Sequence, residues 1–211
     1  FAKSRSYLPM SEQTAAEILP LAKEGDGETE IFQPDEIAKL LNACPAHLIG
    51  YVAIGAFAGL RVAEIGRLQW SAVDLERRII MLRADQAKTA SRRIVPITDN
   101  LAAWLNHAPR TGSVTHGTKT GVEVSKLAKS IGIQWPHNGL RHSYISYRIA
   151  DIKDAARVAL EAGNSPEIIF KHYRELVTEA EAQKWFSIVP PQGWTPQVRK
   201  LRMIPRKKRG T

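Results

Sequence analysis

"RRIIMLRADQAKTASRRIVPI", residues 77–97, decides the fold class. Two short runs rich in Ile, Val and Met flank the polar stretch DQAKTAS, residues 85–91. Such runs, separated by polar turn formers, read as two strands of a small antiparallel sheet. On both sides the apolar spacing becomes helical. FQPDEIAKLLNAC, residues 32–44, carries Ile37, Leu40 and Leu41 on one helical face, with Pro34 in the first turn, where its missing N–H costs little. Residues 46–58 read as a longer, mostly apolar helix that Gly59 can end, and RVAEIGRLQW, residues 61–70, follows as a short one. Downstream, helical signals recur at about 99–107, 122–131, 139–150, 153–162, 165–174 and 178–186. The expectation is a mainly α fold with a small antiparallel β-sheet inserted early, an α+β class.

The flanks differ from this middle. KEGDGETE, residues 23–30, has too little apolar surface for a packed core, and four prolines with clustered bases follow Val189. The expected division is 1–32 as a linker or the end of a missing N-terminal region, 33–188 as the folding domain, and 189–211 as a basic tail. Charge follows the same division. Glu12 to Glu36 holds eight carboxylates against Lys23, and Thr195 to Thr211 holds seven Lys or Arg and no acid, so the two ends nearly cancel. The net +9 therefore sits on the folding part, which suits a polyanionic partner or a merely soluble basic face. No apolar run approaches the ~18 residues a bilayer span needs, and the first residues lack a secretory signal, so a cytoplasmic setting is expected. The lone Cys44 reads as a small buried thiol.

Phosphate loops, zinc motifs and Ser or Cys triads are missing from the sequence. Instead, basic residues stand at element boundaries: Arg61 after AGL, Lys88 in the strand turn, Arg141 in HNGLRHSYISY, and a phenol, Tyr173, in GNSPEIIFKHYREL. Guanidinium forks bind the non-bridging oxygens of a phosphodiester and stabilise the charge gathered at five-coordinate phosphorus. A phenol of pKa near 10 is about 0.1% ionised at pH 7, so a cationic site or base must offset roughly 4 kcal/mol. A lysine on a strand turn is suited to protonating the departing oxygen. Structural roles compete for each residue. Arg61 would cap a helix C-terminus or pair with Glu64, Asn138 would be a helix N-cap, His142 a packed core histidine, and Tyr173 a core aromatic on the stripe Ile169–Tyr173–Val177.

Four segments resemble the catalytic domain of the tyrosine recombinases, also called phage integrases. GAFAGLRVAEIGRLQWSAVDL is similar to the first-arginine segment, giving Arg61 with Glu64 as its supporting acid. AKTASRRIVPI resembles the β-turn lysine segment (Lys88), GLRHSYISY the second-arginine segment (Arg141), and EAGNSPEIIFKHYREL the segment ending in the nucleophile (Tyr173). The resemblance covers about residues 33–186 and implies that 33–188 are the catalytic domain, that 1–32 are a linker or the end of a missing N-terminal DNA-binding domain, and that the setting is bacterial or phage. Two positions depart from the family pattern: Asn138 stands where histidine is usual, with His137 one place earlier, and Asn164 where histidine or tryptophan is usual. Asparagine donates through its amide but is no base near neutrality.

The resemblance implies a site-specific DNA recombinase or integrase that cuts and rejoins DNA through a 3′-phosphotyrosyl intermediate, with no cofactor. Its catalytic set would be Arg61, Lys88, Asn138, Arg141, Asn164 and Tyr173, with Glu64, His137 and His142 as auxiliaries and Arg92, Arg93 and Lys171 on DNA. Double-stranded DNA is the implied partner and a homotetramer the implied assembly, with EAEAQKWFSI, residues 179–188, exposing Trp185 and Phe186 unless they dock on a neighbour. Two other readings use the same residues: a non-catalytic or weakly active DNA-binding relative, and a type IB topoisomerase-like enzyme.

Overall fold

Eleven buried residues in a row along one helix set the architecture. The computed structural model describes residues 30–83, 92–117, 119–173 and 177–197, with the backbone alone described at 170–172. Helix α1 (Pro34–Ala43) starts behind Gln33, whose backbone N–H donates to the Glu36 carboxylate at 2.8 Å, and it buries Ile37, Leu40 and Leu41. Helix α2 (Ala46–Ala58) is buried on every side from Leu48 to Ala58. A helix apolar all round belongs at the centre of a domain, and α2 packs against α1, α4 and α6 as the hub of the fold. It ends at Gly59, in the left-handed conformation with φ +63°, where a Cβ would lie 2.2 Å from the ring of Tyr144. Only glycine fits both the backbone and the space.

Helix α3 (Val62–Arg67) and a 3₁₀ turn (Trp70–Ala72) lead into a three-stranded antiparallel sheet ordered β1 (Val73–Asp74), β2 (Ile79–Leu82), β3 (Arg93–Pro96). The sheet has the two expected strands and a third, β1, that the sequence did not announce. Two residues with no alternation of their own form it by pairing Val73 with Ile80 and Asp74 with Ile79. Ile80 and Val95, opposite each other in β2 and β3, put the inner face into the core. The remaining elements are α4 (Asp99–Leu105), α5 (Thr120–Ser130), α6 (Gly139–Ile152), α7 (Ala155–Ala162), α8 (Pro166–Tyr173) and α9 (Glu179–Phe186). Among the described residues no helix is long and apolar enough to cross a membrane.

The expectation for Trp185 is overturned. It is fully buried in its own chain, its indole N–H donating to Ala56 O at 3.1 Å and its ring stacked on Tyr147 at 4.2 Å. Helix α9 thereby lies on α6 and the end of α2, and Phe186 is half-buried beneath the Arg148 guanidinium. Chain beyond Val189 also packs, since Trp194 sits edge-on against Trp104 and His107. Cys44 is buried as expected, and burial pushes its thiol up to about 12.

A second apolar cluster joins α6, α7 and α8 through Tyr144, Ile145, Val158, Ala159, Ala162, Ile169 and Tyr173. An ionic net reinforces that corner. Glu161, 5% exposed, accepts from Tyr144 Oη at 2.8 Å, from Arg148 Nε at 3.0 Å and from Arg157 Nε at 3.2 Å. Burial pushes its pKa up, but the hydrogen bonds from Arg148 and Tyr144 reverse this and leave it lowered. The net fixes α7 on α6 and so sets where the end of α7 points.

Candidate active site

That helix end is the organising feature. Gly163 takes the left-handed conformation, φ +69°, and closes α7. The last carbonyls of a helix have no partner within it, and they carry the negative end of the helix dipole. Three guanidiniums meet them. Arg93 Nε donates to Glu161 O at 3.1 Å, Arg141 Nη2 to Ala162 O at 2.8 Å, and Arg61 Nη2 to Gly163 O at 2.5 Å.

One residue further, the Asn164 side-chain oxygen accepts from Arg61 Nη2 at 3.0 Å and from Arg141 Nη2 at 2.9 Å. A single amide oxygen thus bridges two cations brought together from α6 and from the start of α3. The opposite amide orientation would set NH₂ donors against both, so the bridge fixes the oxygen inward and leaves Nδ2 for another partner. Arg141 is 9% exposed and its Nη1 also donates to Gly59 O at 2.5 Å. Burial first, and the neighbouring charge of Arg61 second, bring its pKa down to about 10. It is still a cation at neutral pH.

Glu64, fully buried, balances the cluster. Its Oε2 accepts from Arg93 Nη2 at 2.6 Å and from the Arg61 backbone N–H at 2.9 Å, while Oε1 accepts from Arg93 Nη1 at 2.9 Å and Arg61 Nη1 at 3.1 Å. Burial raises its pKa, but hydrogen bonds from Arg93 and the Arg61 backbone, with both positive charges, bring it below the usual carboxylate value. Both structural roles expected for Arg61 are therefore met, since it pairs with Glu64 and satisfies the C-terminal end of a helix, and it also stands at the start of α3.

Tyr173 is the last described residue of α8 and is 5% exposed. Its ring lies in the second apolar cluster and its hydroxyl is 2.5 Å from His142 Nδ1, with the two rings stacked at 5.6 Å between centroids and 29° between planes. Burial raises the phenol pKa, and the positive charge of Arg141 opposes that rise. His142 is half-buried on α6, directly after Arg141.

The structure thus gathers Arg61, Glu64, Arg141 and Asn164 into one hydrogen-bonded set and joins His142 to Tyr173. Arg93 differs from its expected place on DNA. Its side chain is 7% exposed, because strand alternation turns Arg93 inward with Val95 while Ile94 faces out at 61%. That alternation was readable in RRIVPI. Arg92 is exposed. His137 is exposed, and it is His142 that meets Tyr173. Asn138 occupies the N-cap position of α6, as its residue type suggested, but with a left-handed backbone, φ +52°, and no side-chain cap hydrogen bond; it lines a small recess with Arg141. Lys88 and the Lys171 side chain lie outside the described residues. The Glu161–Arg148 pair went unforeseen, since nothing at 13 residues' separation marks two charges as partners.

The family model described as "Phage integrase family" matches residues 30–142. The integrase of Salmonella phage P22 is 23% identical over 133 residues, covering 58% of this chain and 34% of its own length. The chain thus spans about a third of that relative. Among solved structures, XerA recombinase superposes with a TM-score of 0.58 at 20% identity, over 81% of this chain and 66% of that one. The catalytic domain of bacteriophage HP1 integrase gives 0.56 at 20% identity, over 69% and 87%.

Proposed function

Because this chain belongs to the phage integrase family, we propose that it carries the catalytic domain of a recombinase that cuts and rejoins double-stranded DNA through a 3′-phosphotyrosyl intermediate. The single observation that carries the reading is the Asn164 oxygen shared by Arg61 and Arg141, beside a tyrosine whose hydroxyl is paired with a histidine. Two guanidiniums held that closely suit one doubly coordinated phosphate.

In this mechanism Arg61 and Arg141 bind the non-bridging oxygens of the scissile phosphate and the Asn164 amide NH₂ donates to one of them. Tyr173 Oη attacks phosphorus in line, the 5′-oxygen departs, and Lys88 protonates it. A 5′-hydroxyl of a second strand reverses the step. The phosphotyrosyl bond conserves the energy of the phosphodiester, so rejoining requires no ATP. The donors act where charge develops, and losing one such donor costs about 10² to 10³ in rate. Asn138, in the recess with Arg141, is a second amide donor toward the phosphate.

The finer parts rest on the same family membership. The catalytic unit is taken as residues 33–188, with 1–32 leading from a DNA-binding region and 189–211 as a basic extension. Arg92 and Lys171 are the assigned backbone contacts to DNA. A homotetramer on two duplexes, and a bacterial or phage cytoplasm, are the assembly and setting. Since Trp185 is docked within its own chain, its release to a neighbour is not needed for the fold of one subunit. The test is a nicked suicide duplex taken from the DNA flanking the gene. The full-length protein forms an SDS-resistant adduct that Tyr173→Phe abolishes, and an adduct that persists in Tyr173→Phe rejects the reading. Relaxation of plasmids without a recombination site points instead to a topoisomerase.

A further inference from the structure

We propose that His142 is the group that takes the phenolic proton when Tyr173 attacks, an inference that rests on the reading of Tyr173 as the nucleophile. The Oη to Nδ1 distance is 2.5 Å, within the range for proton transfer, and the stacked rings hold both groups in orientation. The hydroxyl donates and Nδ1 accepts, which assigns the remaining proton of the neutral imidazole to Nε2. A neutral imidazole accepts a proton through its unprotonated nitrogen.

The need for such an acceptor comes from burial. Tyr173 sits 5% exposed among Ile145, Val158, Ala159 and Ile169, where a bare phenolate is disfavoured. Arg141 opposes that penalty through its charge, and Tyr144, the other titratable member of this cluster, is committed to Glu161. Among the described residues, His142 is the base within reach.

The step balances as follows. As the Oη–P bond forms, the O–H bond of Tyr173 breaks and its proton passes to Nδ1, giving an imidazolium. The P–O5′ bond breaks with its electron pair on the 5′-oxygen, which takes a proton from the Lys88 ammonium. In rejoining, the 5′-hydroxyl attacks and returns its proton to Lys88, while the departing phenolate recovers the proton from His142.

Asparagine at 142 can keep a hydrogen-bond acceptor near the position of Nδ1 but cannot take up a proton near neutrality. Single-turnover adduct formation by the full-length chain on the nicked flanking duplex is measured from pH 5.5 to 9.5 for wild type, His142→Asn and His142→Phe, with Tyr173→Phe alongside. Wild type is expected to gain rate as His142 loses its proton and then level off. His142→Asn is expected to lose that limb, to fall about 10² to 10⁴-fold at pH 7, and to climb steadily with pH toward the tyrosine range. A Tyr173-dependent adduct formed by His142→Asn at the wild-type rate and with the wild-type pH profile overturns this proposal alone. An adduct retained in Tyr173→Phe overturns the nucleophile reading and this proposal with it.

Discussion

Glu64→Gln is the most informative stability variant, because no orientation of the new amide is acceptable. If its NH₂ replaces Oε2 it faces the Arg93 Nη2 and Arg61 backbone donors, now at 2.6 and 2.9 Å. If it replaces Oε1 it faces Arg93 Nη1 and Arg61 Nη1, at 2.9 and 3.1 Å. Either way donors confront donors at a fully buried site, and the Arg93 side chain, 7% exposed, loses its counter-charge. Removing one partner of a buried ion pair costs about 3 to 5 kcal/mol. The site is at that scale rather than the surface scale because Glu64 has no contact with solvent. For a chain of this length 1 kcal/mol corresponds to about 2 to 4 °C, so melting should fall by about 6 to 20 °C. Urea unfolding followed by circular dichroism measures this, with exposed Glu76→Gln as a control expected within about 0.5 kcal/mol of wild type. A Glu64→Gln protein less than about 1 kcal/mol below wild type refutes the clamp. Glu64→Met with Arg93→Met removes both charges together and should lose less than Glu64→Gln.

Three further outcomes follow from the same geometry. Asn164→Leu removes the oxygen shared by Arg61 and Arg141 but leaves their bonds to Gly163 O, Ala162 O and Gly59 O, so adduct formation should drop about 10²-fold with about 1 kcal/mol lost in unfolding; an unchanged cleavage rate excludes the bridge as a positioning element. Gly59→Ala meets both a left-handed backbone and the buried Tyr144 ring, so a loss of about 2 to 5 kcal/mol is expected in chemical denaturation, and a neutral result contradicts the packing at the end of α2. In acid, Glu64 and Glu161 have folded pKa values below the ordinary 4.5. Their stabilisation is whole above that value and is lost as pH falls through the depressed folded values, so melting temperature should hold from pH 7 to about 5 and drop steeply below about 4.5; replacing both carboxylates should flatten that drop.

The helices were legible because their apolar spacing is regular, and Gly59 and Gly163 punctuate them where a left-handed residue is required. Strands β2 and β3 were legible from their β-rich runs on either side of a polar turn. β1 was not, since two residues carry no period and owe their pairing to β2. At the candidate site, Arg61, Arg141 and Tyr173 were singled out by residue type and order. How they are held was not: the carbonyls at the end of α7 that gather Arg61, Arg93 and Arg141 are backbone atoms, and no side-chain pattern announces them. Arg92 and Arg93 are chemically alike, and only the two-residue period of β3 separates the exposed one from the buried clamp. Asn164 reads as the loss of a better donor until its oxygen is seen to serve two arginines.

The most direct measurement is mass spectrometry of the nuclease-trimmed adduct formed on the flanking duplex. The account predicts a peptide containing Tyr173 joined through its phenolic oxygen to a 3′-phosphate, with the 5′-hydroxyl on the released strand. A nucleotide attached to any other side chain, or linked through a 5′-phosphate, contradicts it.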